Sequence, residues 1–186
     1  MFMLTRIKVE KILCLVGKEY DYMYKKPIHI VINDELEWSV RLTAYDYTLR
    51  LSEEFDDDNF AIFFYEYLAK EFNFDLTWTD TYYETTITAL VLLHEIGLIQ
   101  QTMNINIDKY FIQRVNEDYE DYMIRTSSMS EEEQTIEYRK ISYEYLADKF
   151  AVDMFNKYAI KILAILKGTT QKEIKNKLAE IKKEVV

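Results

Sequence analysis

Apolar and polar positions change their period along this chain, and each change marks an element. Thr5 stands before a stretch from about Arg6 to Val16 that reads as a capped helix stopped by Gly17. Ile28-His29-Ile30-Val31-Ile32 is short, β-branched and closed by Asn33-Asp34, which predicts a strand and a turn. Trp38, Val40, Leu42 and Ala44 then alternate with Ser39, Arg41 and Thr43. Beyond Asp46, Tyr47, Leu49 and Leu51 alternate with Thr48 and Arg50. Alternation on both sides of a short polar break predicts antiparallel strands with one wet face, hence a small antiparallel sheet near residues 28–51.

After the sheet the period becomes helical. Asp58 or Asn59 opens a helix to about Phe72, Asp80 precedes one from about Thr81 to Gln101, and a third runs from about Ile107 to Arg125. Ser130 with Glu133 forms a capping box, and the helical pattern from it extends to Lys167, where Gly168 supplies the stop. A single helix of that length is unusual, so a break is placed near Asn156. Thr170 with Glu173 forms a second capping box. It opens a basic amphipathic C-terminal helix at about 170–186, striped by Ile174, Leu178, Ile181 and Val185 and expected to pack on its own domain.

Composition narrows the class. The chain has 186 residues with three Gly, one Pro and one Cys. This length predicts one domain over residues 1–186, and the shortage of turn residues predicts an α+β, mostly helical fold. No Gly-rich phosphate loop occurs, and a single cysteine excludes disulfide frameworks and multi-Cys metal sites. The formal charge of −10 is divided unevenly: residues 1–26 carry +3, residues 157–186 carry +5, and the stretch 27–156 carries −18. Such an acidic body disfavours direct binding to nucleic acid or anionic lipid and suits a protein partner with a basic surface, or mimicry of a nucleic-acid backbone. No signal-peptide core or membrane-length apolar run is present, so a soluble cytoplasmic protein is expected.

Chemistry has few places to reside. Cys14 lies in an apolar context that predicts a buried, inert thiol. Asp56-Asp57-Asp58 lacks the alternation of a calcium loop and reads as a helix-start acid run. The tyrosines among acids, such as Tyr119, Tyr122 and Tyr138, suit core packing or a protein-binding surface better than base stacking. Of the two histidines, His29 reads as a half-buried strand residue. His94 lies in Leu92-Leu93-His94-Glu95-Ile96-Gly97-Leu98, a His-Glu pair in an apolar helix. Downstream comes Glu144-Tyr145-Leu146-Ala147-Asp148-Lys149-Phe150-Ala151, whose Glu and Asp at i and i+4 share a helix face.

Together these two segments resemble the motif pair of gluzincin-type zinc metallopeptidases, H-E-x-x-H followed by E-x-x-A-[DN]-x-F-A, in a form akin to phage and mobile-element peptidase-like proteins. The resemblance covers about residues 86–155 and implies a zincin-like fold. Carried over by position, it implies His94 as first zinc ligand, Glu95 as general base, Glu144 as third ligand and Asp148 as support for the first motif's helix. The second ligand position holds Leu98, which has no donor atom. Catalytic zinc ordinarily takes three protein ligands and a water, so this departure points to lost catalysis and no cofactor. Gln101, at i+7 from His94, and His29, from the sheet, are the candidates for a replacement ligand.

The expectation is therefore a catalytically degenerate metallopeptidase-like protein that acts by binding another protein, as an inhibitor or decoy, a phage-encoded anti-defence protein being one form of this. Three alternatives stay open. One is an active zinc-dependent peptidase with a non-standard second ligand, and another is an acidic nucleic-acid mimic. The last is an unrelated helical protein in which His94, Glu95, Glu144 and Asp148 form a polar cluster or simply surface groups.

Overall fold

The computed structural model describes residues 3–18, 26–33, 38–42, 46–52, 58–75, 77–103 and 109–184. Asp56 and Asp57, the first two of the acid run, and Ile107 lie outside them. The first helix, α1 (Arg6–Gly17), begins where Thr5 Oγ1 accepts a bond from the Lys8 amide, 3.4 Å. Its buried face is Val9, Ile12, Leu13 and Val16, at the i, i+3, i+4, i+7 spacing of an amphipathic helix. Cys14 is exposed, contrary to the expectation of a buried thiol. One residue past Leu13 is about 100° around the helix, and that rotation takes the side chain off the buried stripe whatever its neighbours are.

Strands β1 (Ile28–Ile32), β2 (Ser39–Leu42) and β3 (Tyr47–Leu51) form a sheet in the order β1-β3-β2. It is mixed rather than antiparallel. β2 and β3 pair antiparallel, whereas β1 pairs parallel with β3 on its other side, with Ile28 opposite Tyr47 and Ile32 opposite Leu51. Alternation reports which face of a strand is buried and is silent on strand direction, so the parallel pair was not visible in it. The central strand buries Tyr47, Leu49 and Leu51 completely, while the edge strand β1 turns His29 and Val31 outward.

The helices carry the rest of the core. α2 (Asp58–Phe72) buries Phe64, Tyr65, Tyr67 and Leu68, and the chain leaves it through Asn73, in the left-handed region at φ 53. α3 (Thr77–Met103) is broken at Tyr82, whose φ −140 and ψ 37 are not helical, so its long regular part begins close to the expected start. From Thr85 to Gly97 every residue of α3 is buried, which makes it the central helix. α4 (Lys109–Thr126) follows, and then α5 (Glu131–Arg139), capped by the Ser130–Glu133 box.

The expected break near Asn156 is not there. α6 (Ser142–Lys167) runs straight through Asn156, and the break falls at Lys140–Ile141 instead. Asn156 is exposed and interrupts nothing, whereas Ile141 leaves the helical region with ψ 132 and has no side-chain cap. Gly168, at φ 66 and ψ 33, ends α6 as expected. α7 (Gln171–Glu184) starts from the second box, where the Thr170 amide donates to Glu173 Oε2, 2.9 Å, and Ile174 of its stripe is buried. No helix among the described residues is long and apolar enough to cross a membrane.

Candidate functional site

The site lies where α3 crosses α6, the most extensive helix pair among the described residues. Gly97 permits the close approach: a Cβ there would stand 3.0 Å from Ala147 Cα and 3.1 Å from the Ala147 carbonyl oxygen. This contact draws His94, three residues before Gly97, onto the face of α6 that carries Glu144 and Asp148. His94 Nδ1 and Asp148 Oδ1 are 2.7 Å apart, and His94 Nε2 lies 3.2 Å from Glu144 Oε2. All three residues are buried, Asp148 completely.

Two neighbours complete the cluster. The Lys140–Ile141 break turns the end of α5 back over α6, so that Arg139 enters the cluster from above. Its Nη1 donates to Asp148 Oδ1 at 3.2 Å and lies 3.6 Å from Glu144 Oε2. The guanidinium sits over the Phe64 ring, 4.8 Å from its centroid, and the Phe64 ring meets His94 edge-on. Tyr138 OH donates to Glu144 Oε1, 2.9 Å. Arg139 had no place in the motif reading, and Tyr138 entered only as one of many tyrosines.

Glu95 is buried beside the cluster and its Oε2 finds no hydrogen-bond partner among the described residues. Burial raises its carboxyl above the ordinary range, against the pull of His94. Burial by itself would lower His94, but its bonds to Asp148 and Glu144 outweigh that and push the imidazole up to about 9. Burial also works to raise Glu144, yet the bond and the charge of His94, followed by Arg139, hold it below the ordinary value. The cluster is consequently close to neutral: two cations, His94 and Arg139, face two carboxylates, Glu144 and Asp148, with Glu95 pushed toward its uncharged form.

The candidate replacement ligands are placed elsewhere. Gln101 Nε2 donates to the Tyr143 carbonyl, 2.8 Å, so its side chain ties α3 to α6. His29 is exposed on the outer face of β1, 3.5 Å from Asp46, and is not half-buried as its apolar neighbours suggested. Leu98 keeps the second ligand position without a donor.

Do these residues fit zinc? Among the described residues, His94 Nε2 and Glu144 converge as donors, while Asp148 holds the other ring nitrogen. No group of three His, Cys, Asp or Glu among the described residues is arranged to hold a metal ion. A divalent cation touching Glu144 would also stand within roughly 5 Å of the Arg139 guanidinium. That repulsion is on the order of 7 kcal/mol at an effective dielectric constant of about 20. With two converging protein donors where catalytic zinc ordinarily takes three, the described donor set does not make up a catalytic zinc site. Comparison with protein families, with curated proteins and with solved structures found no match.

Proposed function

We propose that this protein is a metal-free, zincin-like scaffold that works by binding another protein, as an inhibitor or decoy, rather than by hydrolysing peptides. The observation that carries the reading is Arg139: a buried guanidinium contacts both carboxylates that the resemblance assigns to the metal centre. A fixed cation there performs the charge balancing that zinc performs in a peptidase. The cluster then locks α3, α5 and α6 together instead of activating water. Leu98 and the stacking of Arg139 on Phe64 agree with this, since both favour a dry packed contact over a ligand shell. The charge of −18 on residues 27–156 suits a partner with a basic surface.

The second reading, a working zinc peptidase, draws on the convergence of His94 Nε2 with Glu144 and on the unpartnered Glu95 oxygen. Metal analysis of protein purified without chelator separates the two. Sub-stoichiometric zinc, equal in wild type and Glu144→Ala, is the outcome expected of the scaffold. One zinc per chain in wild type, lost in Glu144→Ala, together with peptide hydrolysis, would overturn it.

A further inference from the structure

Two surfaces away from the His94 cluster complement each other. α4 buries Tyr122 and Thr126 but leaves its opposite side open. Tyr119, Met123 and Ile124 are exposed at 46%, 51% and 75%. With Glu120 they fall at i, i+4, i+5 and i+1, one arc of the helix, and Glu117 borders that arc next to Ile124. Glu117 takes a bond from Gln113, 2.7 Å, and neither Glu117 nor Glu120 has an ion pair to a described base. Single exposed apolar residues need no explanation, but three together on an acidic helix form a patch of the kind that meets a partner.

The second surface is a groove of ≈ 1030 Å³ between α1 and the C-terminal half of α6, bordered by the turn into α7. Its apolar lining includes Leu15, Ala164 and Ile165, and its rim carries Lys11, Lys18 and Lys161. Glu10, also at the rim, is already bonded to Arg6, 2.9 Å. The groove draws on both basic stretches of the chain: α1 packs on α6, so Lys11 and Lys18 of the first line it together with Lys161 of the second. Lys8, close by on α1, is drawn below the ordinary lysine range first by burial and then by the charge of Lys167.

An apolar groove between two helices, rimmed by lysines, has the shape and charge to receive a third helix that is apolar and acidic. α4 is such a helix, it is exposed, and it belongs to the same chain. We propose that α4 of one molecule docks in the α1–α6 groove of a second copy, so that the protein assembles head to tail. The contact is heterologous, since each molecule offers α4 at one end and the groove at the other, and it therefore builds rings or open chains rather than a two-fold dimer. It stands independently of any reading of the His94 cluster.

Two charge-reversed variants test the assembly. Lys11→Glu/Lys161→Glu spoils the groove and leaves α4 intact, and Glu117→Lys/Glu120→Lys does the reverse. All the altered residues are exposed, and circular dichroism checks that each variant is folded. In sedimentation velocity at low salt, wild type is expected to grow in mass with concentration. Each variant alone should remain at the monomer mass of 22.4 kDa. Mixed, the two variants should associate again, because the unaltered α4 of one meets the unaltered groove of the other and the charge-reversed α4 and groove are complementary as well. Any of three results overturns the proposal: wild type monomeric at every concentration, either variant associating as wild type does, or a mixture that stays monomeric.

Discussion

Replacing Arg139 by Met removes the buried cation while keeping most of the side-chain volume. In the folded protein Arg139 answers Asp148 at 3.2 Å and Glu144 at 3.6 Å and covers the Phe64 ring at 4.8 Å. After the change a single imidazolium faces two buried carboxylates. Breaking a buried pair by deleting one partner typically costs about 3–5 kcal/mol, most of it the penalty for the stranded charge. The lost ring contact falls within that range rather than adding to it, because the same desolvated guanidinium supplies both. For a chain of this size each kcal/mol moves Tm by about 2–4 °C, so the variant is expected to melt roughly 6–20 °C lower. Urea unfolding followed by circular dichroism gives the free energy directly. The deficit should shrink at acidic pH, where a stranded carboxylate takes up a proton, and Arg139→Lys should fall between the two because it keeps a charge without the planar fork. A loss below about 1 kcal/mol at neutral pH would refute the argument, since that is the scale of an exposed, dispensable pair.

Other consequences follow from the same geometry. His94, raised to about 9 in the folded state from an ordinary 6.5, contributes stability that is complete below pH 6.5 and lost as the pH rises through 9, amounting to about 3 kcal/mol. Glu95, raised by burial, acts in the same direction, while Glu144, held low, contributes above its ordinary 4.5 and loses its part as the pH falls through its folded value. Urea midpoints should therefore fall from pH 6 to pH 9.5, and a flat alkaline limb would contradict the assignment. Gly97→Ala forces a Cβ to 3.0 Å from the Ala147 backbone, so overpacking of about 1–3 kcal/mol should exceed the gain in helix propensity of about 1. A thermal melt that is unchanged or higher would mean the helices can part without cost. Ser130→Ala removes half of the α5 capping box and should cost about 1 kcal/mol in chemical unfolding, with Ser130→Asp restoring most of it.

What was legible in the sequence was what is decided locally. Gly168 in the left-handed region and the Thr170–Glu173 box are chemistry between residues three apart, and they stand where the pattern placed them. Long-range pairing was not legible. The alternation in residues 47–51 predicted Tyr47, Leu49 and Leu51 on one face, but β1 reaches β3 as a parallel neighbour through the topology of the whole sheet. The α5–α6 break carries no glycine, proline or side-chain cap, and it is held by contacts such as Tyr67 OH with the Arg139 carbonyl, 3.4 Å. Arg139 was missed for that reason. On one continuous helix its nine-residue separation from Asp148 amounts to two and a half turns, which would place the two on opposite faces. Only the break folds the guanidinium back. The i, i+4 spacing of Glu144 and Asp148 did foretell a shared face, and the structure brings both to His94.

The central claim is that His94 is an imidazolium held by two carboxylates, with Arg139 as the resident cation. With only two histidines in the chain, nitrogen-15 NMR of histidine-labelled protein resolves both rings. The account predicts that at pH 7.5 both ring nitrogens of His94 are protonated, that they begin to lose this state only toward pH 9, and that one equivalent of zinc leaves them unchanged. An unprotonated His94 Nε2 at pH 7.5, or one that shifts to a metal-bound position on addition of zinc, would contradict it.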